Sequence, residues 1–178
     1  SSKHMFGAQL WINLPQKDKM TAPAYNDIQP ESILKVEEAG ARISVISGKY
    51  KGHEAPMQGK YVKTTCLDVE LQPEQSWRLE TPMDHTVFLY IVLGTLEIDG
   101  TAYPARRAVL FTPGDTVSLK AGKTGARFFL FSAHPLKEPV AWGGPIVMNT
   151  RKELKQAFRE LDEGTFLDSV KETVRNKE

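Results

Sequence analysis

Between residues 41 and 133 short apolar runs are cut apart by glycine, proline and aspartate, and nothing else in the sequence constrains the fold so tightly. In TTCLDVELQP, residues 64–73, Leu67, Val69 and Leu71 face one way and Cys66, Asp68 and Glu70 the other. That period of two belongs to a strand with one buried face. ARISVIS at 41–47 alternates in the same way, whereas TVFLYIVLG at 86–94 is apolar on both sides, as a central, doubly covered strand would be. LEIDGTAY turns at Asp99-Gly100, and Pro113-Gly114-Asp115 separates RAVLF from TVSLKA and ARFFLFSA. Seven or eight such strands predict an all-β sandwich or barrel. Eleven prolines and thirteen glycines fit the turns this needs.

The ends differ. GAQLWINLP at 7–15 alternates like one more strand and is stopped by Pro15, while residues 16–40 are polar and proline-spaced, like a link between domains. Past Thr150 the period changes to that of a helix. Thr150 and Glu153 form a capping-box pattern, Leu154, Ala157, Phe158 and Leu161 follow on one face, and Gly164 suits the position beyond the helix end. Phe166, Leu167, Val170 and Val174 predict a second amphipathic helix. The expected organisation is an N-terminal strand segment at 1–15, a linker at 16–40, a barrel at 41–135, and C-terminal loop and helices at 136–178.

Charge and cysteine content narrow the function. Twenty-three basic residues against twenty-two acidic ones leave no field to draw in nucleic acid or an anionic membrane. No apolar run approaches the length of a membrane span, and the first thirty residues lack a signal-peptide pattern. The single Cys66 rules out an intramolecular disulfide and suits a reducing, cytoplasmic setting. Ser1-Ser2 in place of an initiator methionine reads as a processed, tagged or excised chain.

Three stretches, GAQLWINLPQKDKM, LYIVLGTLEIDG and above all EPVAWGGPIVMNTRKELKQAFRELDEGTF, resemble the pirin family over roughly residues 7–166. The resemblance implies a cupin double-stranded β-helix, a jelly-roll barrel, followed by a C-terminal α-helix. Pirins are bicupins, so residues 7–15 are expected either to be the closing strand of a first barrel that is otherwise missing here or to join the one sheet present as an added edge strand. Cupin metal sites take two histidines spaced HxH, a glutamate and a later histidine, a set suited to Fe(II) or another transition metal. Pirins carry that set in the first barrel. Anchoring on Gly94 puts the first three positions at Glu80, Pro82 and Thr86 in this chain; anchoring on Thr112 and Gly114 puts the fourth at Leu119.

No metal and no cofactor are therefore expected in this chain, and the four positions are expected to face inward. His85 stays in play as a ligand should the register slip by two. The pocket candidates are His85, Thr86, Glu80, Leu119 and Tyr90. His53, in a glycine-flanked loop, His134, before a proline, and His4, near the terminus, show no ligand spacing with one another. Cys66 reads as a packing residue rather than a nucleophile. No phosphate loop surrounds Gly143-Gly144, and no nucleophile elbow occurs.

Two functions follow. The chain is a non-catalytic structural or interaction region of a pirin-like protein, partnered by a missing N-terminal cupin or by a second copy. Alternatively, it shares in the quercetin dioxygenase or metal-dependent co-regulator activity that intact pirins imply.

Overall fold

The computed structural model describes residues 6–168, within which strands follow the turn signals closely. They are β1 Leu34–Glu38, β2 Ala41–Ser47, β3 Lys49–Tyr50, β4 His53–Glu54, β5 Thr64–Leu71, β6 Ser76–Glu80, β7 Thr86–Ile98, β8 Thr101–Pro104, β9 Ala108–Leu110, β10 Thr116–Ala133, β11 Ala141–Gly143 and β12 Ile146–Met148. The helix α1 covers Arg151–Asp162. Two compact units result, Tyr25–Pro135, and Ser1–Ala24 together with Leu136–Glu178.

In the larger unit, eight strands form one antiparallel sheet in the order β1-β2-β5-β10-β7-β8, with β6 beside β10 and β9 beside β7. The sheet is not closed, which corrects the expected jelly-roll barrel: no ladder joins β1 at one end to β8 or β9 at the other. The outer strands each keep one edge: β1 pairs only with β2, and β8 and β9 pair only with β7. Inside the sheet, β10 uses both of its edges. One edge takes β6 over residues 116–120 and β5 over 126–133; the other takes β7 at 120–121 and again over 126–133. The result is a bent, cupin-like open sheet with free outer strands.

Register shifts between Ala121 and Ala126, and again at Arg127/Phe128, bend β10 against β7. Gly94 and Gly125 make the bend possible. Both have positive φ (74° and 77°), and a Cβ on Gly94 would stand 2.0 Å from the Gly125 carbonyl oxygen. At the next turn Asp99 and Gly100 are both left-handed, as a two-residue hairpin turn of this hand requires.

On the concave side Ile43, Val45, Leu67, Val69, Leu89, Ile91, Leu96, Phe128 and Leu130 are buried completely. Tyr50 stacks on Trp77 with ring centroids 6.3 Å apart, and Trp77 meets Phe128 edge-on at 5.6 Å. The Trp77 indole donates to the Tyr50 hydroxyl at 3.2 Å, so two polar aromatic groups enter the core satisfied. The outer face carries charge. Arg127 donates twice to the Asp68 carboxylate, at 2.9 and 2.6 Å, across neighbouring strands. With Arg127 open to solvent, that pair contributes on the order of 1 kcal/mol.

In the smaller unit α1 begins at the expected capping box: the Thr150 side chain accepts from the Glu153 amide, and the Glu153 carboxylate accepts from the Thr150 amide. Ile146, Met148 and Ala157 make its core, with Leu154, Phe158 and Phe166 packed on them. Residues 6–15 form no strand, against the alternation in GAQLWINLP. In this unit they meet the short hairpin β11–β12, whose two strands already pair with each other. The segment at 16–40 contains short 3-10 turns at Gln16–Asp18 and Pro30–Ser32, then β1. His4, Val170, Val174 and Ser1-Ser2 lie outside the described residues.

Replacing Gly94 with alanine should lower unfolding free energy by on the order of 2 kcal/mol or more, because strain and overlap add. Urea unfolding that leaves stability unchanged would mean the bend tolerates a side chain. Cys66 provides a second check. Burial first, and the Asp68 carboxylate second, push its thiol up to about 12. An unfolded thiol titrates near 8.5. Since the fold favours the protonated form, its contribution is complete below about pH 8.5 and is lost progressively above it. Alkylation at pH 8 should run on the order of 100-fold slower in the native chain than in urea, and equal rates would refute the burial.

Candidate functional site

At one end of the concave face the inward side chains change from apolar to hydroxylated. Along β10 the inward sequence is Phe128, Leu130, Ser132; the partner strand β5 begins at Thr64; and Thr81 follows β6. Three hydroxyl residues are thus deeply buried, at 4% exposure for Ser132, 7% for Thr64 and 8% for Thr81. Strand pairing of Ala133 with Thr64 and Ser132 with Thr65 fixes them at the same end.

The loop between β6 and β7 brings a histidine to them. The His85 amide donates to the Pro82 carbonyl at 3.1 Å, closing a turn, and His85 Nδ1 lies 2.9 Å from Ser132 Oγ. Only Nε2 of the ring is left for another partner. Around this group lies a cleft of about 620 Å³, lined also by Lys49, Glu54, Gln58, Lys63, Leu79 and Glu80. Lys49 pairs with Glu54. Lys63 and Glu80 make no ion pair among the described residues.

The hydroxyls are bonded unevenly. Thr81 Oγ1 donates to the Gly114 carbonyl at 3.4 Å, and Ser47 Oγ donates to the Thr64 carbonyl at 2.8 Å. Thr64 Oγ1 is buried and has no partner among the described residues. An unmet buried hydroxyl costs about 1–3 kcal/mol, which makes it a place to look for function.

The structure divides the sequence candidates. Glu80 and His85 line the cleft, as does Pro82. Thr86 is exposed at the start of β7, because Val87 and Leu89 take the inward positions. Leu119 is buried in the core opposite Trp77, and Tyr90 sits half-buried on the other face, opposite Phe129. Glu80, Pro82 and Thr86 are all exposed and only Leu119 is enclosed, so the four ligand positions do not face inward together. His134 binds Asp84 rather than the cleft, through Nδ1 at 3.0 Å, with its ring 6.3 Å from that of His85. His53 is exposed in β4.

Thr64, Thr81 and Ser132 were not foreseen as site residues. Their signal was visible in TT at the head of one strand and FSA at the foot of another, where alternation continues but polarity inverts. Among the described residues no group of three or more His, Cys, Asp or Glu is placed to hold a metal ion. No helix among them is long and apolar enough to cross a membrane.

A second polar group lies in the smaller unit. Glu138 accepts from the Gln16 amide at 2.8 Å and from Asn149 Nδ2 at 3.1 Å, and Glu153 accepts from Gln16 Nε2 at 3.2 Å. Lys19, lowered by burial against the pull of both carboxylates, donates to Asn13 at 2.6 Å. These bonds tie a segment near residue 16 to the helix start.

Comparison with known proteins agrees with this architecture. Residues 66–167 match the family described as the pirin C-terminal cupin domain. The chain is 37% identical over 158 residues to Pirin-1 of Arabidopsis thaliana, covering 85% of this chain and 55% of that protein. It is 30% identical to a putative quercetin 2,3-dioxygenase of Thermoplasma acidophilum, covering 90% of this chain and 65% of the relative. The crystal structure of a quercetin 2,3-dioxygenase from Acinetobacter baumannii superimposes with a TM-score of 0.80 at 29% identity, over 88% of this chain and 55% of that one. The chain thus spans little more than half the length of these relatives. With more than half of its residues matching the family, the chain belongs to the pirins, as their C-terminal cupin domain.

Proposed function

We propose that this chain serves a structural and protein-interaction role within a pirin-like protein and has no catalysis of its own. The observation that carries this reading is the filled concave face. Tyr50, Trp77, Phe128 and Leu119 occupy the interior, and side chains at three of the four ligand-like positions, Glu80, Pro82 and Thr86, are exposed. Proline and leucine cannot ligate through their side chains. A transition metal such as iron belongs, on this reading, to another part of an intact pirin. The names of the relatives support quercetin 2,3-dioxygenase activity, or metal-dependent co-regulation, only as a proposal for such a whole protein.

The interaction role rests on the smaller unit. Leu10, Trp11 and Ile12 remain exposed, as do Val140 and Trp142, with Trp11 at 63% and Trp142 at 71%. Fully covering a large apolar side chain stabilises by roughly 1.5–3 kcal/mol, so these residues favour a partner. The proposed partner is a first cupin domain or, in its absence, a second copy of this chain. A cytoplasmic location fits the unpaired Cys66.

Two measurements test this. Incubation with Fe(II), Ni(II) or Zn(II), followed by desalting and elemental analysis, should leave well under one ion per chain. A stoichiometric ion that shifts the His85 and His134 resonances would overturn the non-catalytic reading. Sedimentation at micromolar concentration should show a reversible dimer that Trp11→Ser with Trp142→Ser weakens. A monomer at every concentration would remove the self-association proposal.

A further inference from the structure

We propose that the hydroxyl-lined cleft beside His85 binds a small, uncharged, polyhydroxylated molecule of about monosaccharide size. The proposal goes beyond the structural role above, since a packed core and a working rim site can coexist.

Charge comes first. Two lysines around the cleft, Lys49 and Lys63, are balanced by two glutamates, Glu54 and Glu80. Such a lining has no excess positive charge to select phosphate or a carboxylate, and the absence of a metal-ligand cluster among the described residues gives a cation no preferred seat. Neutral ligands are the class that loses least on entering.

Hydrogen-bond chemistry then narrows that class. Ser132, Thr64, Thr65, Thr81 and the imidazole of His85 can each donate or accept, according to their partner. Ligand hydroxyls have the same dual character, so several can be met at once without a fixed pattern of charges. The Nδ1–Ser132 bond holds the ring and leaves Nε2 as its remaining polar atom. Glu80 adds acceptor oxygens suited to a pair of neighbouring hydroxyls, and Lys63 adds a donor. Leu79 and Pro82 supply apolar surface for the C–H face of a ring.

Thr64 points independently to a ligand. It lines the cleft, it is more than nine-tenths buried, and its Oγ1 has no partner among the described residues. A turn of about 120° about χ1 carries Oγ1 to the site the methyl now occupies, a move between staggered rotamers. A bound hydroxyl would give that oxygen the partner it lacks. The volume of about 620 Å³ falls within the range of small-molecule sites.

The test is an amide NMR titration of the whole chain with glucose, galactose, ribose and myo-inositol, against inorganic phosphate, citrate and glycine. At least one polyol should give saturable shifts confined to the residues around Thr64, Thr81, His85 and Ser132. Glu80→Gln, a change at an exposed site, should weaken that binding at least about fivefold, as should Ser132→Ala, which releases the imidazole. Absence of saturable shifts with every polyol would overturn the proposal. So would tighter binding of phosphate, citrate or glycine at the same residues, or unchanged affinity in Glu80→Gln while the spectrum stays folded.

Discussion

Both edges of β10 are hydrogen-bonded, and the larger unit depends on that double pairing. A strand of 18 residues cannot stay straight against β7 on one side while meeting β6 and then β5 on the other. It has to bend, and Gly94 and Gly125 allow the two backbones to approach at the bend. Phe128 and Leu130 then face the core beside β5, and Leu119 faces it beside β6. Ser132 follows at the end, two residues past Leu130, and so does the cleft. The cleft's position is thus inherited from the pleat rather than set by its loops.

The outer strands stay unjoined, β1 pairing only with β2 and β8 and β9 only with β7. Counting strands in the sequence could not reveal this. Periodicity identifies a strand and its buried face, but closure depends on which edges find partners, which alternation does not encode. The turns were legible because their chemistry is local: Asp99-Gly100 adopts the left-handed pair its residues suggest, and Thr150 with Glu153 caps the helix it predicts. Residues 7–15 form no strand for the opposite reason. Alternation there states a preference for extended pairing, and the neighbouring hairpin β11–β12 satisfies its own hydrogen bonds instead. The linker reading of 16–40 overlooked Leu34 and Val36, whose short alternation is enough for an edge strand on β2.

The site was half legible. Counting from Gly94, Thr112 and Gly114 gave Glu80, Pro82, Thr86 and Leu119, of which Glu80 and Pro82 line the cleft; His85, kept for a slip in register, lines it too, whereas the candidate Tyr90 does not. The error is one of direction. A register fixes position along a strand, whereas inward or outward orientation follows from the pleat, and each strand reads its own alternation. Along β6, Trp77 and Leu79 take the inward positions and leave Glu80 exposed at the rim. Trp77 also shows how the interior is filled: an indole, a phenol and a phenyl ring share that space, and the hydroxyls of Thr64, Thr81 and Ser132 stand where it ends.

The smaller unit is held by a different device. The Glu153 carboxylate accepts from the amides of Asn149 and Thr150, from the Thr150 hydroxyl and from the Gln16 side chain. The Thr150 hydroxyl foremost, and then the other donors, favour the charged form against the cost of burial and lower its pKa from the usual glutamate value. A depressed carboxylate stabilises the folded state above its unfolded pKa and ceases to do so as pH falls through the folded one. The same oxygen pair therefore starts the helix and secures a segment far away in sequence. Apolar burial contributes less to that connection, because Trp11 and Ile12 stay largely open to solvent beside it. The tether is built from hydrogen bonds to two carboxylates, since Glu138 accepts from the Gln16 amide as Glu153 does from its side chain.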